Sequence, residues 1–321
     1  MDPTTPPRAF ADLSVAGVYR RCLDDFYVEE LPAVLPTGAG EHLLVHVEKR
    51  GINSAAVADD LARAFGVAQV DVSFAGMKDR NAVTRQWFSV RTPHDAARVL
   101  SMSAHWRVLE SARHQRKLRR GDLSGNRFRI RIRELSGDRA VLQERCALVR
   151  AGVPNYFGEQ RFGRDGANVG RARSWVCSRR RPAISAFQKG LHLSTARALL
   201  FNAVLARRVE GGCWNASIDG DVTADALPTG PLWGRGRAQA TGAARTIEVD
   251  ALAPYDEWLD PLEHLGLEQQ RREFVLRPVQ FDWQFTGDEL ELGFDLGPGQ
   301  YATALLRELG SLTNAAAQAA A

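Results

Sequence analysis

Arg127-Phe128-Arg129-Ile130-Arg131-Ile132-Arg133 alternates a guanidinium with a large apolar side chain. Successive side chains of an extended chain point to opposite faces, so this segment predicts a strand with one apolar face and one row of arginines. A row of that kind resists burial and, together with the basic cluster at residues 113–120, is expected to line an RNA-sized groove. The same period recurs on both sides of it. Leu43, Val45 and Val47 alternate within residues 42–48, Val70, Val72 and Phe74 repeat the pattern, and residues 26–30, 86–90, 279–285 and 289–295 read as further strands. Among them sits one amphipathic helix, in which Val57, Leu61 and Phe65 recur every four residues between a capping Asn53 and a stopping Gly66. The strands near the two ends of the chain are therefore expected to share one sheet.

Between these segments the texture changes. Glycine and arginine dominate from Pro154 to Arg181, residues 193–209 form a helix with Leu199, Ala203 and Ala206 on one side, and residues 211–242 offer only short strand candidates. The expected class is α+β: a core of residues 1–153 and 276–321 with a mixed, largely antiparallel sheet flanked by helices, and an inserted α/β domain at 154–275. A last helix is expected over residues 301–309, followed by a disordered Ala-rich tail.

Of the 321 residues, 45% are hydrophobic and 25% charged, an ordinary globular balance. No run approaches the ~18 apolar residues that span a bilayer, and residues 1–9 are rich in Pro and Thr with no apolar stretch. The expectation is a cytoplasmic protein with no membrane contact. Cys22, Cys146, Cys177 and Cys213 are scattered without a C-x-x-C pair, which speaks against zinc and against disulfides. From Trp106 to Arg181 there are 20 Lys or Arg against 7 Asp or Glu, whereas Thr246 to Asp295 holds 13 acidic residues and 3 basic ones. The two stretches are expected to face different things, the basic one a nucleic acid. Arg113-His114-Gln115-Arg116-Lys117-Leu118-Arg119-Arg120 adds a cluster without an apolar period.

Phe74-Ala75-Gly76-Met77-Lys78-Asp79-Arg80-Asn81-Ala82-Val83-Thr84-Arg85-Gln86 places a carboxylate between two cations in a loop that follows a strand. Lys78 and Arg80 are expected to favour the charged form of Asp79, as a nucleophile or base requires. An ordinary loop Asp that caps the next turn would have the same sequence.

Gly76-x-Lys78-Asp79-x-x-Ala82-x-Thr84-x-Gln86 resembles the signature of the TruD family of tRNA pseudouridine synthases. Further segments keep the family's order: Asp25-Phe26-x-Val28-Glu29-Glu30, Arg113-His114-x-Arg116-Lys117-Leu118-Arg119, Gly125-Asn126-x-Phe128, Val153-Pro154-Asn155-Tyr156-Phe157-Gly158-x-Gln160-Arg161-Phe162-Gly163, and Leu199-x-Phe201-Asn202. The likeness runs from about residue 18 to 310. It implies a pseudouridine synthase core with an inserted TRUD domain, isomerisation of uridine at position 13 in the D-stem region of tRNA, Asp79 as the catalytic carboxylate, and no cofactor or metal. It also implies Phe26, Asn126, Phe128 and Tyr301 around the target base, with Lys78 beside them. Arg116, Lys117, Arg119, Arg120 and Arg161 are expected to contact RNA, and no obligatory protein partner is evident. Tyr301 departs from the family pattern, which has Phe there.

Other readings compete. Phe26 and Phe128 suit a core, Asn126 suits the Ser124-Gly125-Asn126 turn, and residues 155–163 suit either stacking on RNA or a packed turn. A catalytically silent RNA-binding protein would carry the same basic stretch. A metal-dependent nuclease could use Asp24, Asp25 and Asp79, although Lys78 and Arg80 oppose a divalent cation there. A nucleotide-cofactor enzyme lacks its motif, since no strand is followed by G-x-G-x-x-G or a Walker sequence.

Overall fold

The computed structural model describes residues 5–95 and 103–318. Along the chain, β1 (Ala16–Tyr19), β2 (Phe26–Pro32) and β3 (His42–Arg50) precede α1 (Ser54–Phe65), which is followed by β4 (Val72–Phe74), β5 (Val83–Arg91), β6 (Trp106–His114) and β7 (Leu123–Ser136). Next come α2 (Arg139–Ala151), β8 (Val153–Pro154), α3 (Glu159–Phe162), α4 (Ala167–Val176) and α5 (Ala186–Glu210). Then follow β9 (Thr223–Ala224), β10 (Leu227–Leu232), α6 (Gly242–Leu252), α7 (Asp256–Glu263), β11 (Gln270–Glu273) and β12 (Val275–Leu276). The chain ends with β13 (Val279–Thr286), β14 (Glu289–Leu296), α8 (Ala302–Leu306), β15 (Ser311–Asn314) and α9 (Ala315–Gln318). No helix among the described residues is long and apolar enough to cross a membrane.

Two compact units result. A sheet unit holds Ser14–Cys146, Pro278–Gly299 and Gly310–Ala321, and a helical unit holds Met1–Leu13, Ala147–Arg277 and Gln300–Leu309. The division expected from sequence gave both chain ends to the sheet; by contacts, the first residues and the stretch around Tyr301 cluster with the helical unit.

In the sheet unit the strand order is β13-β14-β7-β2-β5-β3-β6, with β4 on β5 and β1 pairing both β7 and β15. Among the described residues of this sheet, only β2–β5 and β1–β15 run parallel. The expected mixed, largely antiparallel sheet is thus present, and strands from both ends of the chain share it. Leu43, Val45 and Val47 of β3 pack with Val57, Leu61 and Phe65 of α1 in one core, each helix side chain worth ~1.5–3 kcal/mol when fully buried. Asn53 Oδ1 accepts from the Ala56 amide at 2.9 Å, and Gly66, at φ 65°, closes the helix in the left-handed region that glycine enters freely.

The arginine row corrects one expectation. Arg127 bonds Asp295 at 2.9 Å, Arg131 meets Glu291 at 3.3 Å, and Arg133 holds Asp25 at 2.8 Å and Glu289 at 2.5 Å. The reason is register: β14 lies beside β7 with Glu291 opposite Arg131 and Asp295 opposite Arg127. The Arg129 side chain, opposite Gly293, makes no ion pair or hydrogen bond among the described residues. Three of the four guanidiniums are therefore cross-strand partners, and the last part of the acidic stretch, Glu289 to Asp295, faces the basic one rather than something else.

The tail differs as well. Ser311–Asn314, expected to be disordered, pairs with β1 in register Ala16↔Ser311 to Tyr19↔Asn314. Alternating burial is weak there, so periodicity gave no signal.

In the helical unit α5 begins earlier than its apolar period suggests. Ser185 accepts from the Gln188 amide at 3.2 Å while the Gln188 side chain returns to Ser185, a capping box that starts the helix at Ala186. From Leu193 onward α5 is buried in a core with Phe162, Trp175, Trp214 and Phe274. Asn202 clips Phe157 through both its amide hydrogen and its carbonyl, at 2.9 and 3.0 Å.

Candidate active site

The loop between β4 and β5 is staked from below. Gln86 donates to the Gly76 carbonyl at 3.1 Å and accepts from Ser54 Oγ at 2.5 Å, and Ser54 Oγ in turn accepts from the Lys78 amide at 3.0 Å. Lys49, fully buried, donates to the carbonyls of Ile52 at 2.7 Å and Asp79 at 2.9 Å. Burial pushes its ammonium down to about 8, an effect that the nearby Asp79 charge partly offsets. Such a scaffold leaves the loop backbone no slack.

Asp79 itself is held at both oxygens. Oδ1 accepts from the Asn81 amide at 2.9 Å, and Oδ2 accepts from Arg20 Nη2 at 2.5 Å. The turn-capping role and the display of a carboxylate therefore coexist. Its side chain is 21% exposed, so the carboxylate sits in a recess open to a ligand rather than on a bare loop.

The flanking cations do not serve as expected. Lys78 Nζ turns to Glu30 at 3.0 Å and to Asn126 Oδ1 at 2.5 Å, while Arg80 reaches the Gly51 carbonyl at 3.3 Å. Adjacent residues of a loop project in different directions, and Lys78 follows the buried carboxylate. The cation beside Asp79 is Arg20, which sequence reasoning missed: it follows β1, next to Arg21 and 59 positions from Asp79, in the left-handed region at φ 60°.

Arg20 also links the carboxylate to an aromatic row. Its guanidinium lies 3.9 Å from the Phe26 ring centroid; Phe26 meets Phe128 edge-on at 6.2 Å, and Phe128 stacks on Phe294 at 5.3 Å. Phe26 and Phe128 are buried, so the core role foreseen for them is real, but it is a core whose end opens toward Asp79 through Arg20. Phe26, Glu30, Asn126 and Phe128 lie on one face of the sheet because β2 and β7 alternate in step. Gly125 is required next to Asn126, since a Cβ there would meet the Leu296 carbonyl at 2.4 Å. Asp79, Lys78, Phe26, Asn126 and Phe128 are thus brought together.

Tyr301 lies in the helical unit. Its hydroxyl accepts from Arg161 at 2.6 Å, and its ring sits 5.9 Å from that of Phe157, over which Arg272 lies at 4.3 Å. Burial lowers Arg272 to about 10. Arg161, expected on RNA, also reaches Ser194 Oγ at 3.2 Å. Residues 155–163 are therefore mostly a packed turn, with Asn155 bonded to Phe274 and Glu273.

Among the basic cluster, Arg116 pairs with Asp122 at 2.8 Å, Lys117 bonds the Val70 carbonyl, and Leu118 is core. Arg119 and Arg120 are exposed, and their guanidiniums have no partner among the described residues. The three acids of the nuclease reading are each taken by a separate arginine: Asp24 by Arg50 at 2.6 Å, Asp25 by Arg133, and Asp79 by Arg20.

Comparison with known proteins adds independent findings. The family described as tRNA pseudouridine synthase D (TruD) matches residues 10–172 and 222–309. A tRNA pseudouridine synthase D of Cellvibrio japonicus is 44% identical over 317 residues, covering 96% of this chain and 93% of its own. One from Methylococcus capsulatus is 44% identical over 340 residues, at 94% and 93% coverage. A crystal structure of a Methanosarcina mazei protein assigned to tRNA pseudouridine synthase D shares the fold with a TM-score of 0.72 at 21% identity, covering 96% of this chain and 95% of that one.

Proposed function

Since this chain belongs to the TruD family of tRNA pseudouridine synthases, we propose that it isomerises uridine to pseudouridine in tRNA, at position 13 of the D-stem region, with Asp79 as the reacting carboxylate. The observation that carries this reading is the Asp79 recess: one oxygen fixed by the Asn81 amide, the other on an arginine that stacks on Phe26.

A uridine must leave its stack to reach that recess, and an aromatic wall is the usual means of holding a flipped base. Phe26 and Phe128 supply the wall, while Asn126, oriented by Lys78, offers its amide hydrogens to a base carbonyl. Isomerisation breaks the N1–C1′ bond, turns the base, joins C5 to C1′, and moves one proton from C5 to solvent while N1 gains another. The carboxylate starts this either by adding to C1′ or by taking the proton at C2′. In both routes Oδ2 must exchange Arg20 for the sugar, and the guanidinium remains beside it to balance charge. The reaction adds and removes nothing overall, and a cytoplasmic setting, where tRNA is processed, suits it.

Asp79→Asn is the direct test. Its Oδ1 still caps Asn81, so the loop and tRNA affinity are expected to survive while pseudouridine formation falls by about 10²-fold or more, the scale of a lost acid–base group. Near wild-type product from the purified variant sinks the assignment. A wild-type protein that binds tRNA but yields no pseudouridine would be an RNA-binding module instead.

A further inference from the structure

The helical unit carries a second surface suited to a polyanion, and the Asp79 recess makes no use of it. No Asp or Glu occurs between Asp165 and Glu210, whereas nine Lys or Arg do. Some of these are engaged within the protein: Arg173 pairs with Glu257 at 2.7 Å, Arg181 bonds the Val176 carbonyl at 2.9 Å, and Arg208 pairs with Asp221 at 2.7 Å. Arg171, Arg179, Arg180 and Lys189 are exposed, and their side chains make no hydrogen bond or ion pair among the described residues.

The segment bearing them is not loose. Trp175 Nε1 donates to the Pro182 carbonyl at 3.1 Å, and Ser178 Oγ both receives the Arg180 amide and donates to the Arg180 carbonyl. Cys177 and Ile184 pack on the core, and the Ser185 capping box begins α5 directly afterwards. Phe187 therefore stands in the first turn of a fixed helix with 67% of its surface in water. One turn on, Gly190 is bare, since a Cβ there would meet no atom within 4 Å.

We propose that Phe187, with Arg179 and Arg180, is a docking surface for tRNA outside the Asp79 recess: the two arginines contact neighbouring phosphates and the phenyl ring stacks on one unpaired base. The proposal rests on tRNA being the substrate. Charge complementarity selects the partner, because an uninterrupted positive stretch with an exposed ring and a bare helix turn beside it matches a phosphate run with a flat base.

The test uses the full-length protein and an unmodified tRNA transcript, with binding followed by fluorescence anisotropy between 50 and 200 mM salt, a range over which phosphate contacts change affinity by roughly 10³-fold or more. The double variant Arg179→Gln, Arg180→Gln is expected to reduce the slope of log affinity against log salt by about 1 to 2. Phe187→Ala is expected to weaken binding roughly 5- to 100-fold with the slope unchanged. Melting temperatures should stay near wild type, because these side chains support no other group. A double variant with wild-type affinity and slope overturns the proposal. So does a Phe187→Ala variant that changes only the oligomeric state by light scattering, which would mark a protein contact. If the variants behave as expected but the wild type makes no pseudouridine, the docking surface stands and the isomerase reading falls; if the wild type binds no tRNA, both fall.

Discussion

Lys78→Met should be far more damaging than its position beside a loop suggests. The Lys78 and Glu30 side chains are 6% and 1% exposed and 3.0 Å apart, so removing the ammonium leaves a buried carboxylate without its cation. Breaking such a pair costs about 3–5 kcal/mol. At ~2–4 °C per kcal/mol for a unit of this size, the melting temperature should drop by roughly 6–20 °C. Glu30→Gln in the same chain removes the stranded charge, and its Oε1 can still accept from the Trp87 amide, now bonded at 3.2 Å. The double variant is therefore expected to recover most of the loss. Thermal melts followed by near-UV circular dichroism give the stability, and single-turnover isomerisation of tRNA at saturating protein gives the chemistry. Because Lys78 also orients Asn126 at 2.5 Å, the stable double variant should remain slow. A single variant that melts within about 1 kcal/mol of wild type, or a double variant no more stable than the single, would refute the buried-pair reasoning. Full recovery of rate in the double variant would reduce Lys78 to a purely structural residue.

Lys49 should impose an alkaline limit on turnover, since its charge under the Asp79 loop is lost as the pH rises through about 8; a rate profile flat well beyond that pH contradicts the role. For stability the sign is set by a folded value below the unfolded one of 10.5: the unfolded chain holds the extra proton between the two, so the fold gains stability with rising pH across that window. Replacing Arg116, Lys117, Arg119 and Arg120 together should flatten the salt dependence of tRNA binding by about 2 rather than 4, because Arg116 and Lys117 already have partners. An unchanged slope would make all four a solvated face. Tyr301→Phe should be mild, losing only the hydroxyl that accepts from Arg161, while Tyr301→Ala should cost about 10- to 100-fold in single-turnover rate if the ring stacks on the base. A Phe variant as slow as Ala would implicate the hydroxyl, and an Ala variant that only melts lower would leave Tyr301 a packing residue beside Phe157.

What the chain discloses by itself depends on the range of each interaction. The helix with Asn53 and Gly66 at its ends, the alternation of β3 and β7, and the display of Asp79 between two strands all follow from neighbours a few residues apart. Arg20 could not be found this way: nothing next to it marks a functional cation, and its role depends on a partner 59 residues later. Glu30 did carry a signal, a carboxylate on the same strand face as Phe26 and Val28, where burial demands a counter-charge. The neutralised arginine row needed the identity of the strand beside β7, which periodicity does not contain.

The parallel pairing of β15 with β1 has a consequence in time. Residues 16–19 wait for residues 311–314, so the strand from which Arg20 springs lacks one of its two neighbours until those residues have been made. At ~5–20 residues per second, that delay after β7 emerges is on the order of ten seconds or more. A nascent chain would hold Asp79, Lys78, Glu30 and Asn126 with the arginine anchor still poorly seated, and competence would wait for β15 to emerge.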